Sequence, residues 1–329
     1  MIITKTPYRL SLFGGGTDYN AWYEKHSGRV LAAAMNHYCY LSVRVLPPFF
    51  EHKYRVLYSR VEQAKQVSEI LHPAVRGCLQ EFEIGEGLEI HHDGDLPARS
   101  GIGSSSSFTV GLLHALHGLK RQMISANSLA TQAIHVEQDV IGEAVGIQDQ
   151  IMAAYGGLRI IEMGPERKWS VSQLTLPDDY LQAFEQHILM GFSGINRFSN
   201  IYAQENIANI RENKHIEELE GISYLAEKAI TAFSSNADFK VIGGLLHEGW
   251  QLKRRLAERA SADWMDDLYS KAIDAGAFGG KLMGAGGGGF FYFLAPPYRH
   301  EAIKKSLSNV KVWVPFNIAT SGSQVVFCD

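Results

Sequence analysis

The sequence predicts an α+β protein in two parts, and three features of its patterning predict it. β-Branched and aromatic runs dominate residues 1–100, helical apolar spacing takes over at Gly103, and strand-like runs return among helices towards the C-terminus. Strands are expected over 8–13, 30–45, 54–58 and 88–92, with Pro47-Pro48 and Asp93-Gly94-Asp95 punctuating them. Phe108, Leu112, Leu113 and Leu116 then recur at helical spacing, a second helix is expected over 128–140, and a strand over 157–161 follows. Beyond His187, a strand over 188–192 gives way to long helical stretches, the clearest marked on one face by Ile242, Leu245, Leu246, Leu252 and Leu256. A glycine-rich turn, a strand over 290–294, a helix over 299–307 and strand-like runs over 310–318 and 324–327 complete the order.

Bulk properties narrow the function classes. A chain of 329 residues, 46% hydrophobic, can bury a sizeable core as two domains or one large α/β unit. Its net charge of −4 and the lack of any Lys/Arg run argue against a nucleic-acid partner. The start, Met1-Ile-Ile-Thr-Lys-Thr-Pro7, has no charged segment followed by a long apolar one, and no stretch has 18 uninterrupted apolar residues, so neither secretion nor membrane insertion is expected. Cys39, Cys78 and Cys328 are odd in number and far apart, which fits neither a disulfide framework nor a CxxC metal site and suits a reducing cytoplasm.

Three glycine-rich segments and two acidic residues carry the chemistry. In the first, Arg9 lies on a strand that runs into Gly14, Gly15 and Gly16, which serve equally as a ligand approach or as a hairpin turn. The second, Leu96-Pro-Ala-Arg-Ser-Gly-Ile-Gly-Ser-Ser-Ser-Ser107, leads from a strand into an apolar-patterned helix. Its small residues let backbone N–H groups curve round an anion at a positive helix N-terminus, while the serine hydroxyls can donate to phosphate or bind Mg²⁺. A plain serine N-cap would need one serine and no paired glycines.

The third segment, Gly279-Gly-Lys-Leu-Met-Gly-Ala-Gly-Gly-Gly-Gly-Phe290, contains GxGxxG at Gly284, Gly286 and Gly289, yet a strand-like run follows where a dinucleotide site needs a helix. It is not a P-loop either, because Leu282 follows Lys281 and Ala275 stands where the first glycine belongs. A flexible main-chain wall beside a ligand or a phosphate loop remains. Between these segments, Asp149 falls in an apolar, small-residue stretch where a carboxylate needs a cation or metal partner, and Glu137 sits on the preceding helix, where a solvated face is equally open. His91 and His92 point to opposite faces of a strand and cannot share a metal.

In this order, the three motifs and the acidic pair resemble the GHMP kinase superfamily, across almost the whole chain. The resemblance implies an N-terminal domain like ribosomal protein S5 domain 2, expected over 1–180, and a ferredoxin-like C-terminal domain over 181–329, with ATP and acceptor meeting between them. It implies that Pro97, Ser100, Gly101, Ile102, Gly103, Ser104, Ser105 and Ser106, with Gly284 and Gly286, bind ATP. It further implies that Ser105 and Glu137 hold Mg²⁺, that Asp149 is the base facing the acceptor hydroxyl, and that Arg9 lies beside it. Such an arrangement suits phosphoryl transfer, which depends on placing a hydroxyl in line with the γ-phosphate and neutralising charge.

The acceptor motif reads Gly14-Gly-Gly-Thr-Asp-Tyr19, without the Glu-His pair of the galactokinase form. With Gly191-Phe-Ser-Gly-Ile-Asn-Arg197 downstream, it is most similar to bacterial D-glycero-D-manno-heptose 7-phosphate kinases, which phosphorylate the anomeric hydroxyl. Gly15, Gly16, Thr17, Asp18 and Tyr19 would then meet the sugar, and Arg99 and Arg197 would supply cations for an acceptor phosphate. The expected partner is a small sugar phosphate, with a homodimer left open. The alternatives are another sugar kinase of the superfamily, for L-fucose or a related hexose, and a catalytically silent nucleotide-binding regulator.

Overall fold

Two long strands, β1 (Ile2–Phe13) and β2 (Gly28–Leu46), form the antiparallel spine of the molecule, with α1 (Asn20–His26) bridging them. The structure is a computed structural model and describes residues 1–82, 84–194, 199–256, 263–284 and 288–329. After β2 come β3 (Tyr54–Leu57), β4 (Val61–Ala64), α2 (Pro73–Glu81) and β5 (Gly87–Gly94). β5 pairs antiparallel with β2 and parallel with β3. Helix α3 (Ser104–Leu119) packs across β1 and β2, and Val110, Leu112, Leu113, Ala115 and Leu116 are fully buried there. Each such leucine contributes about 1.5–3 kcal/mol by leaving water.

Next come α4 (Ala126–His135), α5 (Gln148–Tyr155), β6 (Leu158–Gly164), β7 (Lys168–Gln173) and α6 (Asp178–His187). The helix expected over 128–140 is regular only to His135, after which Ile141 N–H bonds Val136 O at 2.9 Å, a wider turn that carries Glu137. β8 (Ile188–Phe192) opens a second sheet, followed by α7 (Ser199–Arg211), α8 (Ile216–Ser234), α9 (Phe239–Leu256), α10 (Asp263–Asp274), β9 (Gly279–Leu282), β10 (Phe290–Leu294), α11 (His300–Ser306), β11 (Val312–Val314) and β12 (Gln324–Cys328).

The second sheet has four antiparallel strands in the order β11-β8-β10-β9. All five residues of β10 are buried because both faces are covered. Phe290, Tyr292 and Leu294 join the main core, whereas Phe291 and Phe293 join Trp250, Met265 and Tyr269 on the other side. The first sheet has eight strands, and β12 returns to it, pairing with β1 from Ile2 to Lys5. A division at residue 180 would cut α6, and the last strand lies structurally with the first.

Two departures from the sequence expectation have simple causes. The strand expected over 310–318 shrinks to Val312–Val314, because Pro315 has no N–H for the ladder, and Ile318 makes an isolated bridge to Met35. β9 lies inside the glycine-rich stretch, where no side-chain alternation marks a strand. No helix among the described residues is long and apolar enough to cross a membrane, and all three cysteines are free.

Candidate active site

The second glycine segment is a tight loop running straight into the N-terminus of α3. Gly101 and Gly103 have φ of +84° and +74°, a left-handed conformation that a side chain would strain. Gly103 caps the helix, so the first N–H groups of α3, at Ser104 to Ser106, lack intrahelical partners and face the loop's concave side with the positive end of the dipole. Ser100 Oγ donates to Pro97 O at 2.5 Å, and Arg99 N–H donates to Ser104 Oγ at 3.1 Å, which holds the loop closed at its base.

The third glycine segment packs on this loop backbone to backbone. Phe290 N–H donates to Ser100 O at 2.9 Å, and a Cβ on Gly101 would stand 2.6 Å from Met283 O. A Cβ on Gly284 would stand 2.7 Å from the Gly101 Cα. The second sheet therefore braces the phosphate loop directly. Gly286, expected to contact ATP, lies outside the described residues.

Arg9 and Asp149 meet as expected. Arg9 Nε and Nη2 donate to Asp149 Oδ1 and Oδ2 at 2.7 and 2.9 Å, while Nη1 donates to Gly101 O. The arginine side chain is 7% exposed and the aspartate 25%, so the carboxylate stands at the edge of the cleft with a cation behind it. Asp149 lies in the first turn of α5, and Gly103 is so close that a Cβ there would stand 3.2 Å from its carboxyl carbon.

Glu137 is fully buried. Its Oε2 accepts from Ser106 Oγ at 2.8 Å and from Gln150 Nε2, whereas Oε1 has no partner. Burial, with a smaller contribution from the charge of Glu143, pushes its carboxyl up to about 7, against the lowering effect of those donors. The serine bonded to Glu137 is Ser106, one residue after the Ser105 expected to share Mg²⁺ with it. Successive helical residues diverge by about 100°, so Ser106 turns inward while Ser105 remains exposed in the first turn. An orphaned, buried carboxylate oxygen beside a helix N-terminus fits a divalent cation.

The first glycine segment departs most from expectation. Thr17 is fully buried, its hydroxyl donating to Gly14 O at 2.8 Å and accepting from Arg29 N–H at 3.2 Å, so it holds the turn and cannot meet an acceptor. Asp18 also turns inward, accepting from Gly16 N–H at 2.9 Å and Gln148 N–H at 3.4 Å, and its carboxyl is raised by burial first and by Asp149 to a lesser degree. Tyr19 and Gly16 line a separate pocket with Asn206 and Leu219. Gly15 faces the main cleft.

Two lysines missed at the sequence level share that cleft with Gly14 and Gly15. Lys253, at the end of α9, donates to Leu282 O at 3.1 Å and Gly284 O at 2.6 Å, and Lys281, on β9, donates to Leu12 O at 3.3 Å. Lys253 lies in the last turn of α9 beside Arg254 and Arg255, on what by sequence looks like a solvated face, and only the spacing from Leu246 hints otherwise. The charge of Arg99 reaches Tyr58 and His72. Arg197 lies outside the described residues. His91 bonds Glu89 at 2.8 Å and His92 packs against Phe108, on opposite faces, and no metal-holding cluster of His, Cys, Asp or Glu occurs among the described residues.

Residues 69–157 match the model of the GHMP kinases N terminal domain and residues 226–311 that of the GHMP kinases C terminal domain, together more than half of the chain. A D-glycero-alpha-D-manno-heptose 7-phosphate kinase of Campylobacter jejuni is 27% identical over 322 residues, 95% of each protein. The crystal structure of a D-glycero-D-manno-heptose 1-phosphate kinase from Bacteroides thetaiotaomicron superposes with a TM-score of 0.80 over 98% of both chains, at 22% identity. Galactokinase of Lactococcus lactis, complexed with galactose, superposes with a TM-score of 0.75 at 18% identity, covering 99% of this chain and 95% of its own. These structural likenesses establish a common fold.

Proposed function

Because this chain belongs to the GHMP kinase family, we propose that it transfers the γ-phosphate of ATP to the anomeric hydroxyl of D-glycero-D-manno-heptose 7-phosphate, giving the 1,7-bisphosphate. The observation that carries the proposal is the Arg9–Asp149 pair beside Gly101 and Gly103, which sets a carboxylate at the rim of an anion-binding loop. Binding of the ATP phosphates falls to the loop Pro97 to Ser106, through its backbone N–H groups and the α3 dipole. Glu137 and Ser105 would hold Mg²⁺, which would supply charge neutralisation for the phosphates, and Ser106 orients Glu137 by donating to its Oε2.

Asp149 orients the acceptor hydroxyl and takes its proton as the oxygen forms its bond to the γ-phosphorus and ADP leaves. Arg9 holds the carboxylate in place through two hydrogen bonds. Tying that arginine also to Gly101 fixes the distance between base and phosphate loop, which is where an in-line transfer gains most of its rate.

Support for the heptose acceptor comes from the Campylobacter relative, named a heptose 7-phosphate kinase and aligned along 95% of its length, and from the absence of the Glu-His pair in Gly14–Tyr19. The test is a panel of acceptors, heptose 7-phosphate, free heptose, galactose and L-fucose, with ADP release as the readout and phosphorus NMR of the product. Heptose 7-phosphate should dominate by kcat/KM, with a new anomeric phosphate. Equal or better use of an unphosphorylated hexose would overturn the acceptor and leave a hexose kinase.

A further inference from the structure

The cleft in front of Gly14 and Gly15 holds more positive charge than the chemistry described so far uses. Lys253 and Lys281 line it, together with apolar Ile222 and Leu246. Their hydrogen-bond partners are the carbonyls of Leu12, Leu282 and Gly284, dipoles rather than charges. Among the described residues neither lysine has a carboxylate at ion-pair distance. The acids nearby are already committed, Asp149 to Arg9 and Asp18 to the N–H groups of Gly16 and Gln148.

We propose that Lys253 and Lys281 form the subsite for the acceptor's own phosphate, the group remote from the reacting hydroxyl. The inference rests on the phosphorylated acceptor proposed above and replaces Arg99 and Arg197 as the source of its cations. An ammonium offers three donors. With two donors of Lys253 and one of Lys281 directed at carbonyls, three N–H groups remain to meet the oxygens of a phosphate monoester. Charge-assisted bonds of this kind are among the strongest available, and in a cleft walled by Ile222 and Leu246 little water competes for them.

Electrostatics agree with the geometry. Burial holds Lys281 well below the usual lysine range, helped by the charges of Lys253 and Arg9, and lowers Lys253 to about 8. Cations held at such a disadvantage gain most from an arriving dianion. The position favours the acceptor over ATP. Gly14 and Gly15, from the segment expected to meet the sugar, line the same pocket, and none of the residues lining it belongs to the loop from Pro97 to Ser106. Gly15 supplies the other wall, a Cβ on it standing 4.0 Å from Lys281 Nζ.

The experiment compares wild type with Lys253→Met, Lys253→Arg and Lys281→Met, measuring KM for the sugar phosphate, for the free sugar and for ATP. Each methionine variant should raise KM for the phosphorylated acceptor by about 30-fold or more, the usual result of truncating one member of a desolvated charge pair. KM for ATP and for the free sugar should change by no more than about twofold, and Lys253→Arg should recover part of the loss. A rise in KM for ATP instead would assign the lysines to the nucleotide and overturn the proposal. If Lys281→Met fails to fold, Lys253→Met and calorimetry of sugar phosphate binding to it without ATP decide the matter, unchanged affinity being fatal. A wild type indifferent to the acceptor phosphate would sink the heptose-phosphate function itself, whereas a preference that survives in the variants would sink only this subsite.

Discussion

Arg9 grips both carboxylate oxygens of Asp149 and, with its remaining nitrogen, the carbonyl of Gly101. One side chain therefore spans from Asp149 to the glycine loop before α3, across residues that are 140 and 92 positions away in sequence. Since the guanidinium is planar and always charged, it fixes distance and angle together, which a lysine could not do.

Asp149→Asn keeps the shape of the pair and removes the proton acceptor. Turnover should fall by about 10²–10⁴-fold, the size of a general-base contribution, while ATP affinity stays near wild type. Steady-state rates alongside a nucleotide-binding titration provide the check. A folded variant with wild-type turnover would remove Asp149 from the chemistry.

Glu137 links pH to stability. Its carboxyl titrates near 7 in the fold and near 4.5 when unfolded, so ionisation opposes folding: the penalty is absent below about 4.5 and complete above about 7. Without divalent cations, Glu137→Gln should therefore gain on wild type as pH rises from 5 to 8, by an amount on the order of 3 kcal/mol. Mg²⁺ at pH 8 should stabilise wild type and narrow the gap. Urea unfolding at both pH values, with and without Mg²⁺, measures it, and a pH-independent gap would contradict the buried-carboxylate account.

Gly101→Ala tests the contact between the two glycine segments. The added methyl meets Met283 O at 2.6 Å and the residue keeps a positive φ, so the loop must part from the second sheet. A cost of roughly 1–3 kcal/mol in stability, with KM for ATP raised more than KM for the acceptor, is the expected pattern. Unaltered nucleotide affinity would show that the loop does not depend on that brace.

Thr17→Val tests whether the threonine is structural. Losing the hydroxyl leaves Arg29 N–H without its acceptor in a buried turn, while Gly14 O keeps only the Thr17 N–H, which costs about 1–3 kcal/mol. Thermal stability should drop while KM for the acceptor moves little in the folded protein. A selective rise in acceptor KM at unchanged stability would return Thr17 to the substrate.

The parts of the site legible in the sequence are those whose chemistry is local. Gly101, Gly103 and the serines after them announce a helix N-terminus by type and spacing, and Asp149 stands out because its neighbours are apolar. Arg9 required the family resemblance as well, since a lone arginine on a strand carries little information. Lys253 and Lys281 were illegible for a physical reason: whether a cation faces water or a cleft depends on how α9 and β9 dock, not on the residues beside it. Thr17 and Asp18 are ambiguous for the converse reason, because polar groups that could meet a sugar can equally satisfy a turn, as both do here. In the fold, β10 was readable from its apolar run, while β9 hid among glycines and β11 was shortened by Pro315.

The pairing of β12 with β1 also governs when the molecule can be finished. β1 carries Arg9 in its second half, yet its outer edge from Ile2 to Lys5 stays open until residues 324–328 arrive to cover it. During synthesis residues 324–328 must leave the ribosome before that seam closes, so a nascent chain holding both glycine loops still exposes an unpaired strand edge. Closing a sheet between residues so distant is slow. The Arg9–Asp149 pair, both members of which lie upstream of β12, can thus form before the border between β1 and β12 is closed.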